Sequence, residues 1–158
     1  MTTESIITKS LAESSFFGGL PAQLIEFLAA HATIRRLARD QVLFRYGDSA
    51  YHFYLVLSGH VAVEIAAIEG PPLELQDLGP GAVAGWSWLI SPHQWSFQAR
   101  AKTPAEALEF DGVAVLAECE RNPEFGYALL KRFSALMSER LRFARQKMME
   151  EWRPPGFA

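Results

Sequence analysis

Between residues 33 and 110 the sequence alternates short β-prone runs with turn-forming residues, and this rhythm constrains the fold more than any other feature. The run VAVEI at 61–65, for example, alternates in the manner of a half-buried strand. Groups rich in glycine, proline and small polar residues separate the runs, at 47–48, 58–59, 70–72 and 79–81. Many short strands at this spacing predict an antiparallel sandwich or roll.

Helical patterns flank the strands on both sides. Residues 10–31 are predicted to be helical, and Pro21 suits the first turn of a helix. The helical apolar stripe of this segment consists of Leu24, Ile25, Phe27 and Leu28. After the strands, Asp111 is placed to cap a short helix and Asn122 to cap a long one that starts with Pro123. We therefore predict an α+β fold, in which an antiparallel β-roll of the double-stranded jelly-roll type is flanked by N-terminal helices and a long C-terminal helix.

The predicted organisation is one domain, since 158 residues suffice for a single hydrophobic core. We divide it into an N-terminal helical segment at 1–32, a β-roll at 33–111 and C-terminal helices at 112–153. The last helix carries an apolar stripe from Phe125 to Trp152, and we expect Pro154 and Pro155 to end it.

That stripe is longer than the roll can cover, so we predict that its second half forms a two-fold dimer seam. The alternative is that the whole stripe packs on its own sheet. The candidate dimer residues are Phe133, Leu136, Met137, Leu141, Ala144 and Met148. The basic residues of the same helix are interpreted as a solvated face with ion pairs, with an anionic partner surface as the alternative. They are Lys131, Arg132, Arg140, Arg142, Arg145, Lys147 and Arg153.

Composition and motifs restrict the classes of function. A net charge of −3 supplies no bulk attraction to nucleic acid or anionic lipid, so we expect neither direct DNA binding nor membrane binding. The single cysteine, Cys119, permits no internal disulfide, and no signal peptide or transmembrane run is present, which predicts a cytoplasmic protein. The four histidines lack metal-site spacing and no catalytic motif occurs, so we predict neither a metal site nor an enzyme.

The stretch LFRYGDSAYHFYLVLSGHVAV, residues 43–63, resembles the first signature of the cyclic-nucleotide-binding domain superfamily, as found in bacterial sensor domains of the catabolite-activator and fumarate–nitrate-regulator type. That signature is an apolar pair, a spaced Gly–acid pair, four apolar residues and a glycine, here at 43–44, 47–48, 53–56 and 59. The resemblance extends over roughly residues 35–150. It implies a regulatory sensor, and because the sequence ends at Ala158 we expect no DNA-binding domain after the long helix.

In that family the segment corresponding to 79–97 is the phosphate-binding cassette. The resemblance implies a short helix after Gly85, a Glu that holds the ribose and, about nine residues later, an Arg that neutralises the phosphate. In this sequence Trp86 stands at the Glu position and Trp95 at the Arg position. Because an indole carries no charge, the two changes argue against ordinary cAMP or cGMP binding.

Two interpretations of these tryptophans remain open. Either the indoles plug the pocket and the domain serves as a dimerisation or protein-interaction module, or they line a remodelled pocket that senses a different small aromatic ligand. No cofactor is assigned with certainty. This holds for a cyclic nucleotide too, against which the two tryptophans argue. The protein partner is unknown. The candidate ligand-binding residues are Gly85, Trp86, Ser87, Trp88, Trp95, Ser96 and Phe97.

Overall fold

The computed structural model describes residues 2–151. Trp152, Arg153, Pro154 and Pro155, where the stripe was predicted to end, lie outside this range. The elements follow in the order α1 (Thr3–Glu13), α2 (Ala22–Ala30), β1 (Ala32–Leu37), β2 (Val42–Phe44), β3 (His52–Ser58), β4 (Val61–Ile65), β5 (Leu73–Leu78), β6 (Val83–Ala84), β7 (Gln98–Ala101), β8 (Ala105–Asp111), α3 (Gly112–Arg121) and α4 (Pro123–Glu151).

The strands form two antiparallel sheets of four strands each. One sheet has the order β1-β8-β3-β6 and the other has the order β2-β7-β4-β5. The predicted α+β class, with a β-roll between N-terminal helices and a long C-terminal helix, is confirmed. No helix among residues 2–151 is both long and apolar enough to cross a membrane.

Strand β3 lies in the middle of its sheet, and both of its faces are buried. Phe53 and Leu55 pack against the helices in what we call the helix-side core, together with Phe110 of β8. Tyr54 and Val56 point the other way, into the space between the two sheets, which we call the roll core. This double burial explains why the run at 53–56 is continuously apolar instead of alternating.

Local signals fix the ends of these elements. The Asp111 carboxylate accepts the Ala114 N–H at 3.1 Å, and the Asn122 side-chain oxygen accepts the Phe125 N–H at 3.4 Å, so the predicted starts of α3 and α4 are correct. Gly59, with φ of +79°, closes the turn after β3. A Cβ there would approach the Pro104 carbonyl oxygen to 2.4 Å, so only glycine fits.

The first half of α4 is held against the rest of the domain. Phe125, Leu129, Phe133 and Leu136 are buried in the helix-side core. Arg132, predicted to lie on a solvated face, is half-buried and donates to the carbonyl oxygens of Phe16 at 2.8 Å and Gly18 at 3.1 Å. The guanidinium therefore ties α4 to the loop between α1 and α2.

Candidate ligand site and the helix that closes it

The tryptophans of the cassette anchor it in both cores. Trp88 is 1% exposed and belongs to the helix-side core. Its ring stacks on Phe53 with 4.5 Å between centroids and meets the Phe133 ring edge-on at 5.1 Å. Trp88 therefore fixes the cassette to the sheet and to α4 at once.

Trp95 is 5% exposed and belongs to the roll core. Its ring lies on Phe44 with 3.7 Å between centroids and an angle of 11° between the planes. A Cβ at Gly85 would come within 2.9 Å of this ring, and Gly85 has φ of +97°, so glycine allows both the turn and the close approach of the indole.

The structure brings six of the seven candidate ligand-binding residues around one small void. Ser87 is buried, Trp86 and Phe97 are half-buried, and Ser96 is exposed. Trp88 faces the helix-side core and does not line the void. The void is lined by Gly85, Trp86, Ser87, Trp95, Ser96 and Phe97, joined by Phe44, Val63 and Arg140.

The volume of this void is about 10 Å³. Pockets that hold small organic ligands measure about 300–1,000 Å³, whereas one water needs about 10–15 Å³. In this conformation the space has room for no more than about one water molecule. The indoles and their neighbours fill the space between the candidate ligand-binding residues.

The cassette does not contain the short helix that the resemblance implies. Residues 87–89 form a turn, in which the Leu89 N–H donates to the Trp86 carbonyl at 3.1 Å. Two features oppose a helix. Pro92 disfavours helical backbone at the residue before it. Trp95 exchanges backbone hydrogen bonds with Gly47 and Asp48, each at 2.9 Å, which holds the end of the cassette extended.

Arg140 of α4 is the functional residue that sequence reasoning missed. We predicted a solvated side chain, but Arg140 is 5% exposed and reaches the void from the helix. Its guanidinium donates to the Gln76 side-chain oxygen at 2.7 Å and to the Val83 carbonyl oxygen. One signal was available: Arg140 continues the stripe of Phe133 and Leu136 at helical spacing.

Burial lowers the pKa of Arg140 to about 10, and the carboxylate of Glu139, 3.4 Å away, partly opposes that shift. The guanidinium is still protonated at neutral pH. A charged group is therefore buried beside the cassette with two neutral acceptors and one half-exposed acid. It ties α4 to β5 and β6 and closes the void from the helix side.

The candidate dimer residues fall into two groups. Phe133, Leu136 and Ala144 are buried within the domain, and Met137 is half-buried. Leu141 and Met148 are 70% and 56% exposed. Among the candidate dimer residues, the two exposed ones both lie in the distal part of α4, from Leu141 onward, and the dimer seam stays a prediction.

Cys119 is half-buried, and burial, together with Glu118 and Glu120, raises the pKa of its thiol to about 11. At pH 8 only about one thiol in a thousand is then ionised. We expect Cys119 to react with Ellman's reagent at least about tenfold more slowly in the folded protein than in the guanidinium-unfolded chain. Equal rates in the two states at pH 8 would contradict this assignment of an inert thiol.

No group of three or more His, Cys, Asp or Glu side chains within residues 2–151 is arranged to hold a metal ion.

Comparisons with known proteins bear on this site. The family model described as cyclic nucleotide-binding domain matches residues 34–122, more than half of the chain. The chain is similar to the cAMP-activated global transcriptional regulator CRP of Escherichia coli O6:H1, at 30% identity over 125 residues, covering 78% of this chain and 58% of that protein. It is also similar to Acetyltransferase Pat of Mycolicibacterium smegmatis, at 40% identity over 75 residues, covering 48% of this chain and 22% of that protein.

A solved cyclic nucleotide-binding domain from Methylobacillus flagellatus has the same fold, with a TM-score of 0.76 and 20% identity, covering 97% of this chain and 86% of that one. The chain spans 58% of the transcriptional regulator and 22% of the acetyltransferase, so it corresponds to a part of each. The β-roll, the signature at 43–63 and the family match agree. The chain belongs to the cyclic nucleotide-binding domain family, as a domain of regulatory type.

Proposed function

We propose that this domain is a regulatory module whose nucleotide pocket is closed by its own side chains and which acts through protein contacts. The observation that carries the proposal is the void of about 10 Å³ where the family would bind a nucleotide. Trp95 and Trp86 stand where the family has its phosphate-binding Arg and its ribose-binding Glu. Arg140 closes the same space from α4.

The energy needed to open the pocket supports this proposal. Burying a tryptophan side chain removes about 150–250 Å² from water, which is worth about 4–6 kcal/mol. A ligand that has to displace Trp95 loses that energy from its affinity, which corresponds to about a 10³- to 10⁴-fold weaker dissociation constant. The ligand would also lack a charged partner at position 95.

A catalytic role is not part of the proposal. The similarity to the acetyltransferase covers 22% of that enzyme. The sequence contains no nucleophile elbow, P-loop or dinucleotide fingerprint, and Cys119 is an inert thiol. We infer that the domain regulates through contacts and not by chemistry of its own.

The test is a titration of the whole chain with cAMP and with cGMP, followed by tryptophan emission and by the melting temperature. We expect neither signal to change up to about 1 mM, because the three indoles of the cassette are packed and the void admits no nucleotide. A saturable change in emission at micromolar nucleotide contradicts the closed pocket. Saturation by an aromatic metabolite instead would favour the remodelled-pocket alternative.

A double variant, Trp86→Glu with Trp95→Arg, provides the matched comparison. It restores the two side chains that the family uses and removes two rings that fill the void. We expect cAMP to raise its melting temperature while leaving the wild type unchanged, provided that circular dichroism shows both proteins folded. A folded double variant without cAMP affinity would show that these positions do not control the pocket.

Protein contacts can reach the domain at the distal part of α4. Two occupants suit its exposed apolar side chains, a second copy of the chain or a different protein. The stripe itself predicts the second copy.

A further inference from the structure

A second, larger cleft also has Arg140 in its wall. Its volume is about 430 Å³, and it opens between the loop after α1, the segment from β5 to β6 and the middle of α4. We call it the outer cleft. Pockets that hold small organic ligands measure about 300–1,000 Å³, so the outer cleft has room for a small molecule where the void has none.

The guanidinium of Arg140 borders the outer cleft. It donates to the Gln76 side-chain oxygen at 2.7 Å and to the Val83 carbonyl oxygen, and both of these residues line the cleft. Both acceptors are neutral, and burial lowers the pKa of Arg140 to about 10, as expected for a charge without a full counter-charge. A carboxylate that enters the cleft supplies this counter-charge, and its geometry matches the planar guanidinium.

Glu139 places the opposite charge at the same point of the cleft. Its side chain is 44% exposed, and one carboxylate oxygen lies 3.4 Å from the Arg140 guanidinium. A strong charge-assisted hydrogen bond measures about 2.7–2.9 Å, so the two groups are only loosely paired. Asp77, the other acid of the lining, is already bound to His60 at 2.9 Å and to Lys102 at 3.2 Å. Glu139 is therefore the carboxylate that a cationic group in the cleft would meet.

The remainder of the lining that bears on binding is apolar. Leu78, Val83 and Leu136 are buried, and Phe16 is half-buried. Apolar surface that is removed from water contributes affinity roughly in proportion to its area. The outer cleft therefore combines an aliphatic wall with one positive and one negative group.

The two charges together restrict the class of ligand. A simple anion beside Arg140 is repelled by Glu139, and a simple cation beside Glu139 is repelled by Arg140. A molecule that carries a carboxylate and an ammonium group a few ångströms apart satisfies both residues.

We propose that the outer cleft binds a free α-amino acid with an aliphatic side chain. Its carboxylate takes the place of Glu139 at the Arg140 guanidinium, and its ammonium group pairs with the Glu139 carboxylate. Its side chain lies against Leu78, Val83 and Leu136. The proposal goes beyond the closed nucleotide pocket and does not depend on it, because the ligand does not enter the void.

The experiment is isothermal titration calorimetry of the whole chain with L-leucine. Three further probes each lack one part of the ligand: glycine lacks the side chain, N-acetyl-leucine the ammonium group and leucinamide the carboxylate. We expect saturable binding of leucine, and each of the three probes is expected to bind at least about tenfold more weakly.

Glu139→Gln removes the negative charge at a half-exposed position and is expected to weaken leucine binding at least about fivefold. Glu124→Gln is the matched control, because it makes the same change at an exposed position of α4, about 22 Å away along the helix. Its affinity for leucine is expected to stay within about twofold of wild type. Arg140→Met is expected to remove binding, and circular dichroism checks that each variant is folded.

Four outcomes overturn the proposal. They are no saturable binding of leucine, binding of any of the three probes as tight as that of leucine, equal leucine affinities of the Glu139→Gln and Glu124→Gln variants, and full leucine affinity in a folded Arg140→Met variant. All four leave the closed nucleotide pocket standing, whereas a nucleotide response contradicts that pocket and leaves the outer cleft unaffected.

Discussion

Replacing Trp88 by alanine is expected to lower the free energy of unfolding by about 3–5 kcal/mol. The indole is 1% exposed and contacts both Phe53 and Phe133, so its removal leaves a cavity between the sheet and α4 that rigid neighbours cannot fill. Urea unfolding followed by circular dichroism measures the change. A loss below about 1 kcal/mol would mean that Trp88 is not a packing centre.

Trp88→Phe separates packing from hydrogen bonding. The Trp88 ring N–H has no hydrogen-bond partner among residues 2–151, so phenylalanine removes no internal hydrogen bond. We expect Trp88→Phe to lose less than half of what Trp88→Ala loses. Trp86→Ala is the control within the same cassette, and because Trp86 is half-buried its loss should also be smaller.

Arg140→Ala is expected to lower the free energy of unfolding by about 2–4 kcal/mol, the second largest effect. Alanine removes a buried side chain and leaves the Val83 carbonyl and the Gln76 amide without their donor. Arg140→Met also leaves both acceptors without a donor but fills the space that alanine vacates, so we expect its loss to be smaller than that of Arg140→Ala by about 1 kcal/mol or more. Arg142→Ala, on the exposed side of the same helix, is the control and should change stability by no more than about 0.5 kcal/mol.

The pH dependence of this pair of variants follows from the lowered pKa of Arg140. The folded pKa of about 10 lies below the ordinary pKa of an arginine side chain, so between these two values the unfolded chain binds more protons than the folded one. The contribution of Arg140 to stability therefore rises with pH in that window and is constant below it. The difference between wild type and Arg140→Met should stay flat from about pH 6 to pH 9, and a slope there would contradict the assignment.

Together these variants test how α4 is connected to the cassette. Trp88 packs on the first half of the helix, and Arg140 binds its middle to β5 and β6. Beyond Arg140 the helix exposes Leu141 and Met148. These exposed side chains are therefore next to Arg140, the residue that reaches the void from the helix.

The sequence determined the elements, because the signals that define strands, caps and turns act over a few neighbouring residues. The apolar run at 53–56 predicted an inner strand, Gly59 predicted the turn after it, and Asp111 and Asn122 predicted the starts of the last two helices. The family resemblance also predicts that Trp86 and Trp95 stand at the positions of the family's Glu and Arg, and this assignment stays a prediction. The linear sequence did not indicate the volume of the void that remains between these side chains.

Only the tertiary structure decided what the tryptophans and Arg140 do. Trp88 and Trp95 are seven positions apart but belong to different cores, and a linear pattern carries no information about which core a loop residue enters. Arg140 is buried because its acceptors, 64 and 57 positions earlier in the chain, lie beside it in space. A charged side chain is stable in a core only when such partners are assembled around it, and that depends on how sheet and helix pack.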